Sequence, residues 1–323
     1  MVTVAVTALY SISLVFQVFD TLNYWFQARL QSKYASIAAL AAYVAVSVYK
    51  IILLMLGKSV LWFAVAASLD HIVLAVFLLA AYFRNGGARF SWSLSKAREL
   101  LASSGSFILA GMMISIYACT DRLMLKQMLG AEAVGHYSLA VTISGSWAFV
   151  LAAMIDSLYP EIVRCHREDR LLYQRKNRQL YALVLYTALA VSVCICLAAR
   201  PFILLIYGEA YLPAVQPLRI VTWYTAFSYL GVARNAWIVC ENQQRYLKYL
   251  YVGAAACNVA LNLLLIPIWG ASGAAAASLI TQVATTTLLP ALIRPLRPNA
   301  KLMLDAVLFR GVLPEKQRNH TKE

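Results

Sequence analysis

Charge is scarce in this chain. Only 13% of its 323 residues are Asp, Glu, Lys or Arg, about half the usual share in a soluble domain. That excludes one large soluble helical core, which would need far more polar surface. Acids are the scarcer sign, 14 against 28 bases. No acidic pair stands on a sizeable loop of the kind a glycosyltransferase needs. Histidine is limited to His71, His136, His166 and His320, which stand far apart and without metal-ligand spacing. The six cysteines, Cys119, Cys165, Cys194, Cys196, Cys240 and Cys257, are scattered. They form no metal or redox pattern and read as small apolar residues. Walker A, dinucleotide-binding and HExxH patterns are missing. The reading is therefore of a protein that is not an enzyme and carries no cofactor and no metal. No basic stretch precedes the first apolar run, since Met1 leads directly into Val2-Thr3-Val4. That run is read as a span, not as a cleaved signal.

Long apolar runs are what the chain has in quantity. Hydrophobic residues make up 62% of it. Runs of about 18 to 25 residues recur from end to end, each enough to cross a hydrocarbon core as a helix. The expected fold is an all-α integral membrane protein of about nine spans, at 3–21, 35–57, 60–82, 102–120, 136–159, 180–204, 216–238, 247–267 and 272–293. Strands of a membrane barrel would be about ten residues long and alternating, which this pattern excludes. The segments 83–101 and 160–179 are polar and basic, and either is expected to be a loop or partly an interfacial helix. In the tail, 294–323, the apolar patch Leu302–Phe309 is expected on the membrane surface and the last dozen residues to be disordered.

The net charge of +14 does not mark a nucleic-acid partner, because the bases fall in alternate loops. All but six of the 28 Lys and Arg residues lie on one side of the nine-span arrangement, Arg234 and the tail included. The six are Lys50, Lys58, Arg122, Lys126, Arg200 and Arg219. The positive-inside rule then places the C-terminus in the cytoplasm and the N-terminus outside.

Charges inside or at the rims of spans carry the functional information, because they are costly in lipid. Lys50, Arg122, Arg200 and Arg219 fall in the outer half. One reading lets their long side chains snorkel to the interface. The other makes them a cationic cavity for a phosphate-bearing substrate. Arg200 lies at hydrocarbon depth only if its helix continues through Pro201 to Ile206. Asp70 falls near mid-span beside His71, and Asp121 adjoins Arg122. Both acids are candidates for coupling or for structural pairing. Asn258 and Asn262 share a helix face and are expected to pack or bond across helices, near the small-residue stretch from Gly270.

Three stretches carry a resemblance. Tyr117–Ala140 contains Asp121-Arg122, Lys126, Gly130, Gly135 and Tyr137. Pro201–Tyr211 contains Tyr207-Gly208-Glu209, with Pro213-Ala214 following. The third runs from Asn258 and Asn262 through Pro267, Trp269-Gly270 and Gly273. Trp25-Phe26-Gln27-Ala28-Arg29 adds a fourth, shorter one. In this order the chain resembles the polysaccharide biosynthesis transporters, the O-antigen flippases of the multidrug and oligosaccharidyl-lipid exporter superfamily. The resemblance implies two helical lobes and flipping of undecaprenyl-diphosphate-linked oligosaccharide across a bacterial inner membrane. It implies membrane lipids and polysaccharide polymerase machinery as partners.

By the same match, 3–82 corresponds to the family's spans four to six and 102–293 to spans seven to twelve. The first three spans are expected to be missing, leaving a partial N-terminal lobe at 1–82, a basic cytoplasmic linker at 83–101, a complete six-span lobe at 102–293 and a basic tail at 294–323. The competing readings are a cation-coupled multidrug exporter, a peptidoglycan-precursor flippase and a truncated product that does not transport.

Overall fold

The computed structural model describes residues 2–29, 31–88 and 90–311. Every regular element described is helical. An apolar chain in lipid has no water to satisfy its peptide groups, and a helix satisfies them within one segment. The chain divides into two compact units, Met1–Arg98 and Glu99–Glu323.

The first unit contains α1 (Val2–Gln17), a 3-10 turn at Val18–Asp20, α2 (Thr21–Ala28), α3 (Ser32–Met55) and α4 (Val60–Arg84). Helices α1 and α3 both pack on α4. Its core gathers Leu22, Phe26, Ala35, Ala38, Leu78 and Tyr82. Trp25 meets Tyr82 edge-on at 4.7 Å, and the Arg29 guanidinium lies 4.2 Å from the Trp25 ring. Such an aromatic knot with a cation suits a membrane–water boundary.

The second unit contains all but the first turn of α5 (Leu94–Leu129), then α6 (Ala131–Gly145), α7 (Ala148–Glu168), α8 (Arg170–Tyr207), α9 (Val215–Cys240), α10 (Leu247–Trp269) and α11 (Ala271–Val283). A π-helical turn, Ala284–Leu288, leads into the short α12 (Leu289–Leu292), and α13 (Arg297–Val307) closes the described chain. Helix α9 packs against α6, α7, α8 and α11, and so forms the centre of the unit.

Among the described residues, six helical segments are long and apolar enough to cross a membrane: Val4–Phe26, Lys33–Met55, Leu61–Arg84, Arg170–Tyr207, Gln244–Trp269 and Ala271–Leu292. The bent pair α6 and α7, which meet at 40°, makes a seventh if it counts as one span. Large apolar side chains stay on the outside, with Met55 83% and Leu205 86% exposed. A water-soluble protein would hide such a surface. The protein is therefore a multi-pass, all-α membrane protein. The expected spans 102–120 and 216–238 are helical, within α5 and α9, but those helices are not among the six.

Of the two forms expected for the polar segments, loop or part helix, the structure shows part or nearly full helix. Residues 160–179 are almost wholly helical, divided only at Asp169 between α7 and α8. Asp169 caps α8 by accepting from Leu171 N at 2.8 Å and Leu172 N at 3.0 Å. Residues 94–101 of the segment 83–101 likewise belong to α5. Charge density separates water from lipid, but it does not separate loop from helix.

The tail patch forms a helix that packs on protein along one side. Helix α13 docks on α8, burying Leu302, Met303 and Ala306. Asn299 Nδ2 donates to the Tyr181 hydroxyl at 2.6 Å, and the Tyr186 hydroxyl donates to Val307 O at 2.6 Å. The amphipathic stripe thus meets protein over these residues. The expected disorder of the last dozen residues lies outside the described residues. Substituting Met303→Glu is expected to release α13, because a carboxylate would replace an apolar side chain that is 3% exposed. Limited trypsin digestion reads this as faster cleavage after Lys301 than in the native chain.

The cysteines are only partly the small buried residues expected. Cys165 is buried, while Cys119 and Cys194 are exposed among the described residues.

Candidate functional site

Asp121 lies on α5 at the meeting point of four helices. It is 7% exposed. The Tyr137 hydroxyl on α6 donates to its Oδ2 at 2.7 Å, and Asn262 Nδ2 on α10 donates to its Oδ1 at 2.7 Å. The Ser278 hydroxyl on α11 donates to Oδ2 as well. Asn262 Nδ2 also reaches Asn258 Oδ1 at 3.0 Å, and Asn258 Nδ2 reaches Ser278 Oγ at 3.3 Å. The result is a closed ring of four side chains, Asp121, Asn262, Asn258 and Ser278, with Tyr137 attached to it from α6.

The chain builds this ring with two tight hairpins. Helix α10 ends at Gly270, whose φ of +57° lets the backbone reverse where a side chain would strain it. Immediately after it, Gly273 lies so close to α10 that a Cβ would stand 2.1 Å from Leu265 O. This contact holds α10 and α11 together, which sets Asn258 and Asn262 against Ser278. On the other side, α5 and α6 join at Gly130 and bring Tyr137 back beside Asp121.

A carboxylate in a dry interior needs donors, and this one has three. No Lys or Arg forms an ion pair with it among the described residues. Within the ring, Asn262 Oδ1 is buried with no hydrogen-bond partner among the described residues. The ring is thus rich in oxygen, carries one acid and contains no fixed cation. Gaining a proton or a metal cation at Asp121 would rearrange the donors that tie α5, α6, α10 and α11 together.

The first unit has its own polar set. Lys50 Nζ on α3 lies 4.0 Å from Asp70 Oδ2 on α4, with both side chains about two-fifths exposed, at 43% and 40%. His71 Nε2 meets Gln17 Nε2 of α1 at 3.4 Å. The Ser68 hydroxyl donates to Leu9 O at 2.5 Å. Polar contacts therefore join α1, α3 and α4.

The remaining cations singled out in the sequence sit on separate helices. Arg122, on α5, is half-buried, and its Nε has no partner among the described residues. Arg200 is exposed on α8, which does continue through Pro201 and ends at Tyr207. Arg219, on α9, donates from Nε to Cys196 O at 3.3 Å, and Cys196 Sγ donates back to Arg219 O at 3.2 Å. Of the six singled-out charges, only Lys50 and Asp70 form an ion pair with each other among the described residues.

One functional candidate escaped the sequence reading. Arg234 counted there as a cation at the inner membrane face. In the structure it is 5% exposed within α9. Its position four residues before the expected span end, at 238, was the available signal.

A comparison with known families bears on these sites. The model of the polysaccharide biosynthesis protein family matches residues 1–166. The chain belongs to this family. The matched stretch contains the Lys50–Asp70 pair, Asp121 and Tyr137. Asn258, Asn262, Ser278, Arg200, Arg219 and Arg234 lie beyond it. No curated protein and no solved structure matches the chain.

Proposed function

We propose that this polysaccharide-biosynthesis family protein flips an undecaprenyl-diphosphate-linked oligosaccharide across the bacterial inner membrane, serving O-antigen or another surface polysaccharide. The carrying observation is the family match laid over a set of long, apolar, lipid-facing helices. The role is transport without chemistry. In this reading the chain holds nine spans, three of them at 1–82 and six in a lobe at 102–293. Its C-terminus is cytoplasmic. The substrate is lipid-linked sugar, and polymerase machinery receives the product.

Asp121 is the coupling group in this account. Its ring ties four helices together through one titratable side chain. Change at that side chain would alter the packing that alternating access requires. The Lys50–Asp70 pair is the corresponding candidate in the first unit. Lys50, Arg122, Arg200 and Arg219 draw in the diphosphate, with Arg supplying forked donors to its oxygens.

Neutralising these four cations together is expected to reduce flipping about tenfold or more while leaving membrane insertion intact. Unchanged flux in a correctly inserted quadruple variant would remove the cationic-cavity role.

A cation-coupled exporter of small molecules is the second reading, favoured by the oxygen-rich ring around Asp121. Complementation separates the readings. The flippase reading expects restored surface polysaccharide in cells lacking their O-antigen flippase. Restored growth only in cells lacking the peptidoglycan-precursor flippase, or drug resistance alone, contradicts it.

A further inference from the structure

Arg234 is a permanent cation in the wrong place for one. A guanidinium does not lose its proton in proteins, yet this one is 5% exposed inside α9. Its Nη1 donates to Thr285 O at 3.1 Å. Its Nε is buried and has no hydrogen-bond partner among the described residues. No carboxylate forms an ion pair with it among those residues, which include every acid of the chain except Glu315 and Glu323. An unpaired buried charge is strongly destabilising unless an anion or a set of acceptors compensates it.

A cavity of about 370 Å³ opens beside it, between α9, α10 and the C-terminal part of α11 with its π turn. Besides Arg234, its polar walls are Tyr224, Ser228, Asn235, Tyr251 and Gln282. These are neutral groups, and each can donate a hydrogen bond. One fixed positive charge ringed by neutral donors matches an oxyanion of single negative charge. The cavity lies at the small end of ligand sites, about 300–1,000 Å³. That suits a head group and is too small for an oligosaccharide repeat.

Two further features shape the choice of ligand. Thr285 belongs to the π-helical turn Ala284–Leu288, and π turns occur frequently at functional sites. Its carbonyl takes one Arg234 donor and leaves the others available. Val232, 42% exposed, also lines the cavity. An apolar edge beside a polar pocket accommodates an amphiphile whose chains continue into hydrocarbon.

We propose that this cavity binds the phosphodiester head group of an anionic phospholipid, with Arg234 as its counter-charge. Its lining includes no residue of the Asp121 ring and none of the four cations assigned to the transported substrate. It stands or falls independently of the transport reading.

The test uses the full chain purified in detergent. Native mass spectrometry and thermal unfolding follow titration with phosphatidylglycerol, with phosphatidylcholine and with inorganic phosphate alone. Phosphatidylglycerol is expected to bind about tenfold or more tightly than the net-neutral phosphatidylcholine and to raise Tm. The Arg234→Met variant is expected to lose that preference and the Tm rise. Without lipid it is expected to unfold no earlier than the native chain, because it removes an unpaired buried charge. Val232→Trp leaves the cation in place and fills the cavity edge, and it is expected to weaken the same lipid selectively. Equal binding of the two lipids by the native chain would overturn the proposal. So would native-like phosphatidylglycerol binding by both variants. If inorganic phosphate alone reproduces the Arg234-dependent Tm rise, the site takes phosphate from solution and the lipid assignment falls.

Discussion

Asp121→Ala is expected to cost about 2–4 kcal/mol of stability and to abolish transport. The substitution leaves the Tyr137 hydroxyl, the Asn262 amide and the Ser278 hydroxyl without their shared acceptor. Each buried unsatisfied donor costs about 1–3 kcal/mol. Side-chain bonds in membranes are often weaker, averaging about 0.6 kcal/mol, which holds the sum to the lower part of that range. Asp121→Asn separates the structural contribution from the coupling one. It keeps the shape and one acceptor oxygen, so the fold is expected to survive with a small fall in Tm. It cannot change charge, so flipping is expected to fall about as far as in the alanine variant. Near-native flux in Asp121→Asn, measured with its Tm, would make the ring a structural clasp only.

Gly273→Ala is expected to be the most damaging single-methyl change in the second unit. The added carbon would stand 2.1 Å from Leu265 O and 2.5 Å from Leu265 C. Both are backbone atoms, so no side-chain rotation relieves the clash. Either α11 moves away from α10 or the Gly270 turn opens. Overpacking of this kind costs about 1–3 kcal/mol, occasionally more. Because the same contact places Ser278 against Asn258 and Asn262, the Asp121 ring is expected to loosen with it. Size-exclusion profiles and Tm in detergent should show an unstable variant. Gly253→Ala provides the control, since its Cβ would meet only the Leu289 side chain at 3.6 Å. A Gly273→Ala protein as stable as Gly253→Ala would contradict the close approach of α10 and α11.

The sequence showed the helices more readily than their neighbours. Apolar run length marks a segment that crosses lipid, so the long helices were legible from composition alone. Which faces pack was not. A helix that is apolar all round has no polar stripe to show which side meets protein. Asp121 stood out because a charge at a span end is costly, and Asn258 with Asn262 stood out because they share a face. Their meeting was hidden. Asp121 and Asn262 are 141 residues apart, and Asp121 and Ser278 are 157 apart. Local spacing carries no trace of such a pairing. Arg234 was misread for a related reason. A basic residue near a span end usually snorkels to water, and nothing local distinguishes one that turns inward. The four cations were legible as unusual residues on four different spans, but the backbone contact that Arg219 makes and the half-burial of Arg122 were not.

The central claim is that this chain moves a lipid-linked sugar between leaflets. Its most direct test reconstitutes the chain in sealed vesicles with a fluorescent undecaprenyl-diphosphate-linked oligosaccharide in one leaflet. A membrane-impermeant reagent that modifies only outward-facing sugar reports transfer over time. The account predicts transfer well above that of protein-free vesicles, and a return to that background with Asp121→Asn. Transfer at the protein-free rate by a folded, correctly inserted native chain would contradict it.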